Sequence, residues 1–572
     1  MNKLKEKEPL KQSIINLIIL LLIAIFACIP LLSSKINIMY DDGTQHVARL
    51  IGTYNSIKEG QSFAVIMSNL CNNFGYSWNL FYSPFTAFFP LIFKFIGFSF
   101  VNSIKLYMLF ITFVSGMTMY VLVNEVVKSK KIALIAAVIY MLAPYRLTDM
   151  YARNALAELT TFMFLPRVFQ GLYGILKQKP KREYLFIYGT VFLLLTHTVI
   201  AMYTAIFAFI FLLTQIKKLK NKQVLKTLIL SLVFVILITS FFYIPLLEHR
   251  LSADYEVFKA GRMERTDVLV ELKVSFLELF MTPKDNIRIY EIGLLSVVAL
   301  VLSPIVIKQL RQKYRKTDFY RFYIFSLVAG LVSVIMSLKI FPFEYLPSIL
   351  KMLQFSFRML EFSSFFFTIV AAINIGVLIK NLKYKDIMII IIVQILLTCM
   401  FIPHLQFEEN IKIKEERLIE GVTVTSKTGR VHAGCASFEY LPTKAFENRK
   451  YIEERPNEVL VLHGNATIKN QEKQNTNLTC TVTNVIEETN IELPYIYYLG
   501  YEACLEQNGE TTKLKTYETD NGFVGVTIPI LEEANLKVHY EGTMLMKITA
   551  VISILAVIIL EVIVILDKRK PE

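Results

Sequence analysis

Asp42, His46 and Arg49 stand in the stretch MYDDGTQHVARL at positions i, i+4 and i+7, the spacing that puts three side chains on one helical face. A carboxylate, an imidazole and a guanidinium side by side can hold a metal ion, a proton and a phosphate. The same residues also suit a plain role. Asp41 or Asp42 can cap a helix start, Gly60 can end it, and the helix between can be a solvated amphipathic one.

A second group follows in APYRLTDMYARNALAE. Arg146, Asp149 and Arg153 are at i, i+3 and i+7, and Glu158 lies at the mouth of the next apolar run. Ionisable side chains at membrane depth are costly and usually line a cavity, so this group reads as a ligand site or as a mutually neutralised ion-pair cluster. His197, in LLLTHTVIA, sits at the tip of a tight turn, where it serves as a polar turn residue or as a site residue. Arg358 and Glu361 occur in LQFSFRMLEF. Arginine suits a bidentate phosphate contact, and it also suits a snorkelling anchor at the interface. The chain has no G-x-x-x-x-G-K-[ST], no G-x-G-x-x-G opening a helix, no H-E-x-x-H and no G-x-S-x-G, which leaves ATP-driven transport by this chain alone without support.

These residues must be positioned by a membrane scaffold. The 572-residue chain is 54% hydrophobic, and the excess is gathered in runs near the length that spans a bilayer. The runs lie at about Ser13–Leu32, Ile104–Val123, Ile132–Pro144, Leu156–Leu176, Tyr184–Thr196 and Val199–Ile216, then Val224–Leu247, Ile289–Ile307, Phe319–Leu338, Phe362–Ile379, Ile387–Phe401 and Leu545–Leu566. They predict about twelve spans. Pro30 and its bulky neighbours lack the small-x-small pattern of a cleavage site, so the first run reads as a retained helix. Phe85–Phe98 is short and broken by Pro90, and reads as re-entrant or interfacial.

Charge sets the orientation. The basic loops KSKK at Lys128, KQKPKR at Lys177, KKLKNK at Lys217, RQKYRK at Arg311 and KNLKYK at Lys380 all fall on one side, the cytoplasmic one by the positive-inside rule. Both termini then lie in the cytoplasm, and the first outer loop, 33–101, lies outside. The net charge of +14 is not a nucleic-acid footprint. Residues 404–543 carry 14 Lys and Arg against 22 Asp and Glu, leaving the excess positive charge on the short loops elsewhere.

Residues 404–543 contain no spanning run. EVLVLHGNATI, NLTCTVTNV, LPYIYYLGYEACL, TKLKTYE, GFVGVTIPI and LKVHYEG alternate like strands, and Asn508-Gly509 and Asn521-Gly522 are hairpin dipeptides. The division expected is a polytopic helical domain over 1–403, an extracytoplasmic β-sandwich over 404–543, and a last helix with a basic tail over 544–572. The six cysteines form no CxxC pair, and one disulfide among Cys435, Cys480 and Cys504 is left open.

The layout resembles GT-C-type integral membrane glycosyltransferases. More narrowly it resembles the YfhO-like bacterial membrane proteins and their relatives labelled 6-pyruvoyl-tetrahydropterin-synthase-related. The residues that carry the resemblance are DDGTQHVARL at Asp41, IKEG at Ile57, FGYSWNLFYSPF at Phe74, LAPYRLTDMYARNALAE at Leu142, LQFSFRMLEF at Leu353, FEYLPT at Phe438, the stretch LPYIYYLGYEACLEQNGETTKLKTYETDNGFVGVTIP and the VHYEGT lead into the last run. Where a Pro-Trp-Arg-like stretch would stand near the late arginine, this chain has Ser356-Phe357-Arg358.

The resemblance implies a bacterial cell-membrane enzyme that moves a sugar from a polyprenyl-phosphate donor to an envelope glycopolymer or glycolipid at the outer face. It places the catalytic base or metal anchor at Asp41 or Asp42, with Mg or Mn as the divalent ion such an anchor would hold. His46, Arg49, Arg146, Asp149, Arg153, Glu158, His197 and Arg358 are then candidates for substrate binding. The partners implied are the lipid bilayer, the lipid-linked sugar and the acceptor, with no nucleic acid. A pterin-synthase chemistry would need a zinc-ligand histidine cluster, and the sequence has none. Two other classes fit the same features: a transporter or flippase of lipid-linked envelope precursors, and a non-catalytic envelope scaffold.

Overall fold

The computed structural model describes residues 2–32, 41–61, 63–259, 261, 266–283, 286–404, 423–426, 429–432, 435 and 438–569. The expected first outer loop therefore lies partly outside the described residues, at 33–40, and so does the start of the expected outer domain, at 405–422.

Every one of the twelve apolar runs is helical, but not every one is a straight crossing. Among the described residues, seven helices are long and apolar enough to span a membrane, or up to nine if each of two bent pairs counts as one span. Two expected spans are the bent pairs. Lys130–Met141 turns by 43° into Pro144–Ala152, and Leu294–Val301 turns by 57° into Ser303–Tyr314. Pro144 explains the first break. It pushes Ala143 to an extended backbone, as proline does to its predecessor. The expected run from Ile289 begins as helix only at Leu294, after Gly293 at φ 91°. Three further runs form the helices Leu156–Ile175, Arg182–Leu194 and Thr198–Thr214. Phe85–Phe98 forms two short helices, Phe85–Phe88 and Leu91–Phe95, with Ile92, Phe95, Ile96 and Phe98 exposed.

The bundle packs inward on one large apolar core drawn from most of the helices, while Ile229, Leu232, Val233 and Ile236 of the helix Lys222–Ser252 stay exposed. An apolar outer face is what a lipid-facing helix presents, since lipid tails are as apolar as leucine. The last helix, Met544–Arg569, packs against Lys222–Ser252, where Ser240 and Ser553 hydroxyls meet at 3.0 Å. At the end near the basic loops, Glu125 accepts from Gln170, Lys179 and Arg182 at 2.8, 3.0 and 2.9 Å.

Small residues let two helices touch. A side chain at Gly171 would lie 2.4 Å from the Phe186 backbone nitrogen, in the neighbouring helix. Backbone cannot give way as a flexible side chain can, so Gly171→Val should cost about 1–3 kcal/mol, the usual overpacking penalty. Detergent thermal-stability curves should show that loss, and an unchanged midpoint would contradict the tight helix contact.

The C-terminal region is antiparallel β structure. Its strands are β1 (Thr423–Ser426), β2 (Gly429–His432), β3 (Leu460–His463), β4 (Thr467–Gln474), β5 (Asn477–Val485), β6 (Thr489–Ile496), β7 (Tyr501–Gln507), β8 (Glu510–Leu514), β9 (Thr516–Glu518), β10 (Phe523–Ile528) and β11 (Leu531–Tyr540). β1 and β2 pair alone, one sheet runs β3-β6-β10-β9, and the other runs β4-β5-β11-β7-β8. Leu478, Cys480 and Val482 of β5 share a core with Leu493 of β6, Val524 of β10 and Leu536 of β11, so the two sheets bury one common interior. The stretch LPYIYYLGYEACL, expected as one strand, is two. It breaks at Gly500, which has φ 110° and no room for a side chain beside Gly542. Asn508 and Gly509 are both left-handed, at φ 51° and 84°, as a type I′ hairpin requires.

A third core joins residues 65–80 to the β region. Met67, Cys71, Phe74, Tyr76 and Trp78 pack there with Tyr255, Cys435, Tyr440, Tyr498 and Phe523. The Ile496 amide donates to the Phe74 carbonyl at 3.0 Å. Arg455 and Glu492, both fully buried, pair at 2.9 Å, and Glu492 also accepts from Tyr451, Thr519 and Asn521. Such full satisfaction is what makes a buried pair tolerable.

Candidate functional site

Of the ionisable residues that the sequence singles out, Asp42, Asp149 and Glu158 meet at Arg153, and Arg358 joins them through Glu158. Arg153 Nη1 donates to Asp149 Oδ1 at 2.7 Å and to Glu158 Oε2 at 2.8 Å, while Nη2 faces Asp42 Oδ2 at 3.8 Å. Arg358 Nε donates to the same Glu158 oxygen at 3.1 Å. The Arg153 guanidinium lies 5.0 and 5.8 Å from the Phe357 and Phe355 rings, and Arg358 lies 4.8 Å from Phe355. Tyr145 donates to Glu158. Two arginines, two carboxylates, a tyrosine and two phenylalanine rings thus form one buried network, with Asp42 at its edge.

Local structure explains the convergence. The segment Thr148–Ala152 is a π-helical turn, and the Arg153 amide closes it on the Thr148 carbonyl at 2.9 Å. The wider turn aligns Asp149 with Arg153, and it throws Arg146 off their face. The expected face of Arg146, Asp149 and Arg153 is therefore split. Arg146 is fully buried elsewhere, donating to Thr112 Oγ1 at 2.8 Å and the Met141 carbonyl at 3.0 Å. π-turns of this kind occur often at functional sites.

The helix Gly43–Lys58 docks on this turn through its first residues. The Asp42 amide donates to the Arg153 carbonyl at 3.1 Å, and the Asp42 carbonyl accepts the His46 amide at 3.1 Å. The Asp42 side chain makes no capping bond. It is 48% exposed and has no hydrogen bond to its carboxylate among the described residues. Asp41, left-handed at φ 48°, turns instead to Arg288 Nη2 at 2.9 Å. Burial and the Asp42 charge raise the Asp41 pKa, against the pull of Arg288 and Arg153.

Arg49 lies off the Arg153 network. Its Nε reaches Asn79 Oδ1, and Nη2 reaches the Tyr82 and Ser83 carbonyls, all at 2.9 Å. It holds the segment from Asn79 to Ser83, while its Nη1 is buried with no partner among the described residues. His46 meets the Tyr82 ring edge-on at 6.4 Å. His197 caps the helix Thr198–Thr214, its Nδ1 accepting the Ile200 amide at 3.3 Å, and it feels the charges of Arg358, Glu158 and Arg153. Sequence reasoning left Tyr145, Arg288, Phe355 and Phe357 out of the site, and named Glu361 beside Arg358 without giving it a role. Glu361 is fully buried, accepts from Thr161 through Oε1, and has no partner for Oε2 among the described residues. Phe355 and Phe357 flank Ser356 in LQFSFRMLEF, so a signal for them was present; Arg288 stands in a loop with no motif.

Both histidines are neutral at physiological pH, chiefly because burial disfavours the charged ring. His46 is lowered to about 4 and His197 to about 3. Each folded value lies below the ordinary 6.5. The unfolded chain therefore binds more protons below that pH, and stability falls as pH drops from about 6.5 toward 4, by about 1–2 kcal/mol per histidine at pH 5. Melting midpoints at pH 7.5, 6.5 and 5.5 should fall in that order. His197→Asn keeps a capping oxygen and should flatten the fall; an equal slope in that variant would remove His197 from the explanation.

The two aspartates turn to different arginines, and no three His, Cys, Asp or Glu side chains form a metal-holding group among the described residues. The donor set fits neither a divalent ion at Asp41 and Asp42 nor a zinc site.

Two apolar grooves lie beside the polar network. One, of about 110 Å³, is lined by Phe26, Ile29, Leu147, Thr148, Tyr151, Phe401 and neighbours. The other, of about 390 Å³, runs between residues 63–88 and the helix Lys222–Ser252, and its lining includes Asn79, Phe85, Leu195, Phe242 and Met546. Asn79 is the acceptor of Arg49, and Leu195 precedes His197 by two residues.

The family model described as "6-pyruvoyl-tetrahydropterin synthase related domain; membrane protein" matches residues 80–405. A Lactococcus lactis protein named only as uncharacterized is 24% identical over 591 aligned positions, which take in 96% of this chain and 94% of that one. The matched family segment contains Arg146, Asp149, Arg153, Glu158, His197 and Arg358.

Proposed function

We propose that this chain, which belongs to the 6-pyruvoyl-tetrahydropterin synthase related family of membrane proteins, is a GT-C-type glycosyltransferase. It would take a sugar from a polyprenyl-phosphate donor and place it on an envelope glycopolymer or glycolipid outside the cell membrane. The observation that carries this reading is the half-exposed Asp42 carboxylate beside Arg153 Nη2, in a network whose other carboxylates are paired.

In this reading the acceptor hydroxyl oxygen bonds to the anomeric carbon of the donor sugar as the bond from that carbon to the phosphate oxygen breaks. Asp42 takes the hydroxyl proton, as a general base must within hydrogen-bond reach. The departing polyprenyl phosphate leaves with the electron pair. Arg153 Nη2 and Arg358 Nη2 make no hydrogen bond among the described residues, so both can donate to phosphate oxygens as their charge rises. The apolar groove at Phe85 and Phe242 suits the polyprenyl chain. Twelve spans, cytoplasmic termini and a β-sandwich outside complete the proposal; the basic loops on one side and the two sheets around one core support it.

Transport of lipid-linked precursors is a second reading, and the two broken helix pairs favour it, since interrupted helices mark transporter sites. Envelope glycopolymers from deletion, wild-type and Asp42→Asn cells separate the two. Loss of one sugar substituent with polymer export intact supports transfer. A full substituent pattern in Asp42→Asn cells, with the variant abundant, overturns it.

A further inference from the structure

Two of the six cysteines meet. Cys71 Sγ and Cys435 Sγ are 3.2 Å apart across 364 residues of sequence, and both side chains are wholly buried. The backbone holds each in place. Cys71, Asn72 and Asn73 form a tight left-handed turn at φ 52°, 57° and 64°. The Cys435 carbonyl accepts from Tyr76 Oη at 3.3 Å and from the Phe438 amide at 2.8 Å. Both sulfurs sit in the core that joins residues 65–80 to the β region.

The remaining thiols are not placed to compete. Cys28 and Cys399 belong to apolar helices. Cys480 on β5 and Cys504 on β7 are separated by β11, which pairs with both. Two strand spacings, about 9–10 Å, exceed the reach of a disulfide.

We propose that Cys71 and Cys435 are oxidised to a disulfide that staples the first outer loop to the β region. The oxidant is a disulfide of the thiol–disulfide oxidoreductase class, acting on the outer side of the membrane where such bonds persist. One cysteine thiolate attacks that disulfide and releases one of its sulfurs as a thiolate. The second cysteine thiolate attacks the resulting mixed disulfide and releases the other sulfur. The pair of cysteines loses two protons and two electrons, and the oxidant becomes a dithiol. Burial and the adjacent Cys435 push the Cys71 thiol well up, so exchange must run before the seam closes, during folding.

The proposal is independent of sugar transfer and is tested on the full chain. Membranes are treated with N-ethylmaleimide in denaturant at lysis, then split. One half is reduced and labelled with maleimide–polyethylene glycol, and the other is labelled without reduction. The expected result is two added labels after reduction and none before. Peptide mapping of the unreduced protein should show the Cys71 peptide joined to the Cys435 peptide. No added label, or a joined pair other than Cys71 with Cys435, overturns the proposal. Reduction should also lower the melting midpoint of the wild type and leave a Cys71→Ala/Cys435→Ala double variant unmoved. An equal shift in both would likewise count against it.

Discussion

Replacing Arg153 with alanine is expected to remove most of the folded protein from the membrane. Arg153 is 2% exposed, and it pairs with Asp149 and Glu158, which are 0% and 1% exposed. Without it Asp149 loses its cationic partner, and Glu158 keeps only Arg358 and Tyr145. Breaking a buried pair by removing one partner costs about 3–5 kcal/mol, against a typical total stability of about 5–15 kcal/mol. Arg153→Lys keeps the charge, but an ammonium lacks the planar fork that stacks against Phe355 and Phe357, so an intermediate loss is expected. Arg358→Ala should be milder, because Arg153 still holds Glu158. The triple change Arg153→Met, Asp149→Asn, Glu158→Gln removes all three charges and should recover part of the abundance. Size-exclusion profiles of fluorescently tagged protein from solubilised membranes give the order. If Arg153→Ala is as abundant as the wild type, the network is not what holds this end of the bundle together.

That same network shows which parts of the site were readable in the sequence. Arg153, Asp149 and Glu158 were visible because charges near long apolar runs are costly and need a reason. Their grouping was read from the wrong helix geometry. A 3.6-residue period puts Arg146 beside Asp149 and Arg153, whereas the π-turn at Thr148–Ala152 separates them. Nothing in TDMYA announces that turn. Arg358 came from a distant segment, 200 residues from Glu158, and no local pattern encodes such a meeting. The aromatic rings that flank both arginines, Phe355 and Phe357, stand in the same motif as Arg358.

The fold was legible in proportion to how local its causes are. Apolar length marked each helix, and Asn508-Gly509 marked its hairpin, because both act within a few residues. The break at Pro144 and the late helix start after Gly293 were also local, yet hydropathy reads straight through both. The strand break at Gly500 was missed for a similar reason: the alternation of LPYIYYLGYEACL continues across it, and the lack of space beside Gly542 appears only in three dimensions. The core between Phe74, Tyr76, Tyr440 and Phe523 lay beyond reach, because its residues come from segments hundreds of positions apart.

The largest expected functional effect is at Asp42. Asp42→Asn should lower sugar transfer by about 10²–10⁴-fold, the usual contribution of a general base, at nearly wild-type abundance. The structure makes the test clean. The residue's backbone amide, which ties the start of the helix Gly43–Lys58 to Arg153, and its carbonyl, which accepts the His46 amide in the first turn, are untouched by the change. The side chain makes no cap bond, so the stability loss of about 0.5–2 kcal/mol expected for a removed cap does not apply. The lost charge faces Arg153 at 3.8 Å from a half-exposed position, where an ion pair contributes about 0–1 kcal/mol. Asp41→Asn is the matched control. Asparagine accepts the left-handed backbone of residue 41, and the change weakens the pair with Arg288 without touching Arg153. It should cost little in transfer. Transfer is assayed with a synthetic polyprenyl-phosphate sugar on equal amounts of purified protein. A fall in Asp41→Asn with Asp42→Asn unaffected would exchange their roles. Full activity in both variants would take the base away from this turn altogether and leave the arginine network as a structural clamp.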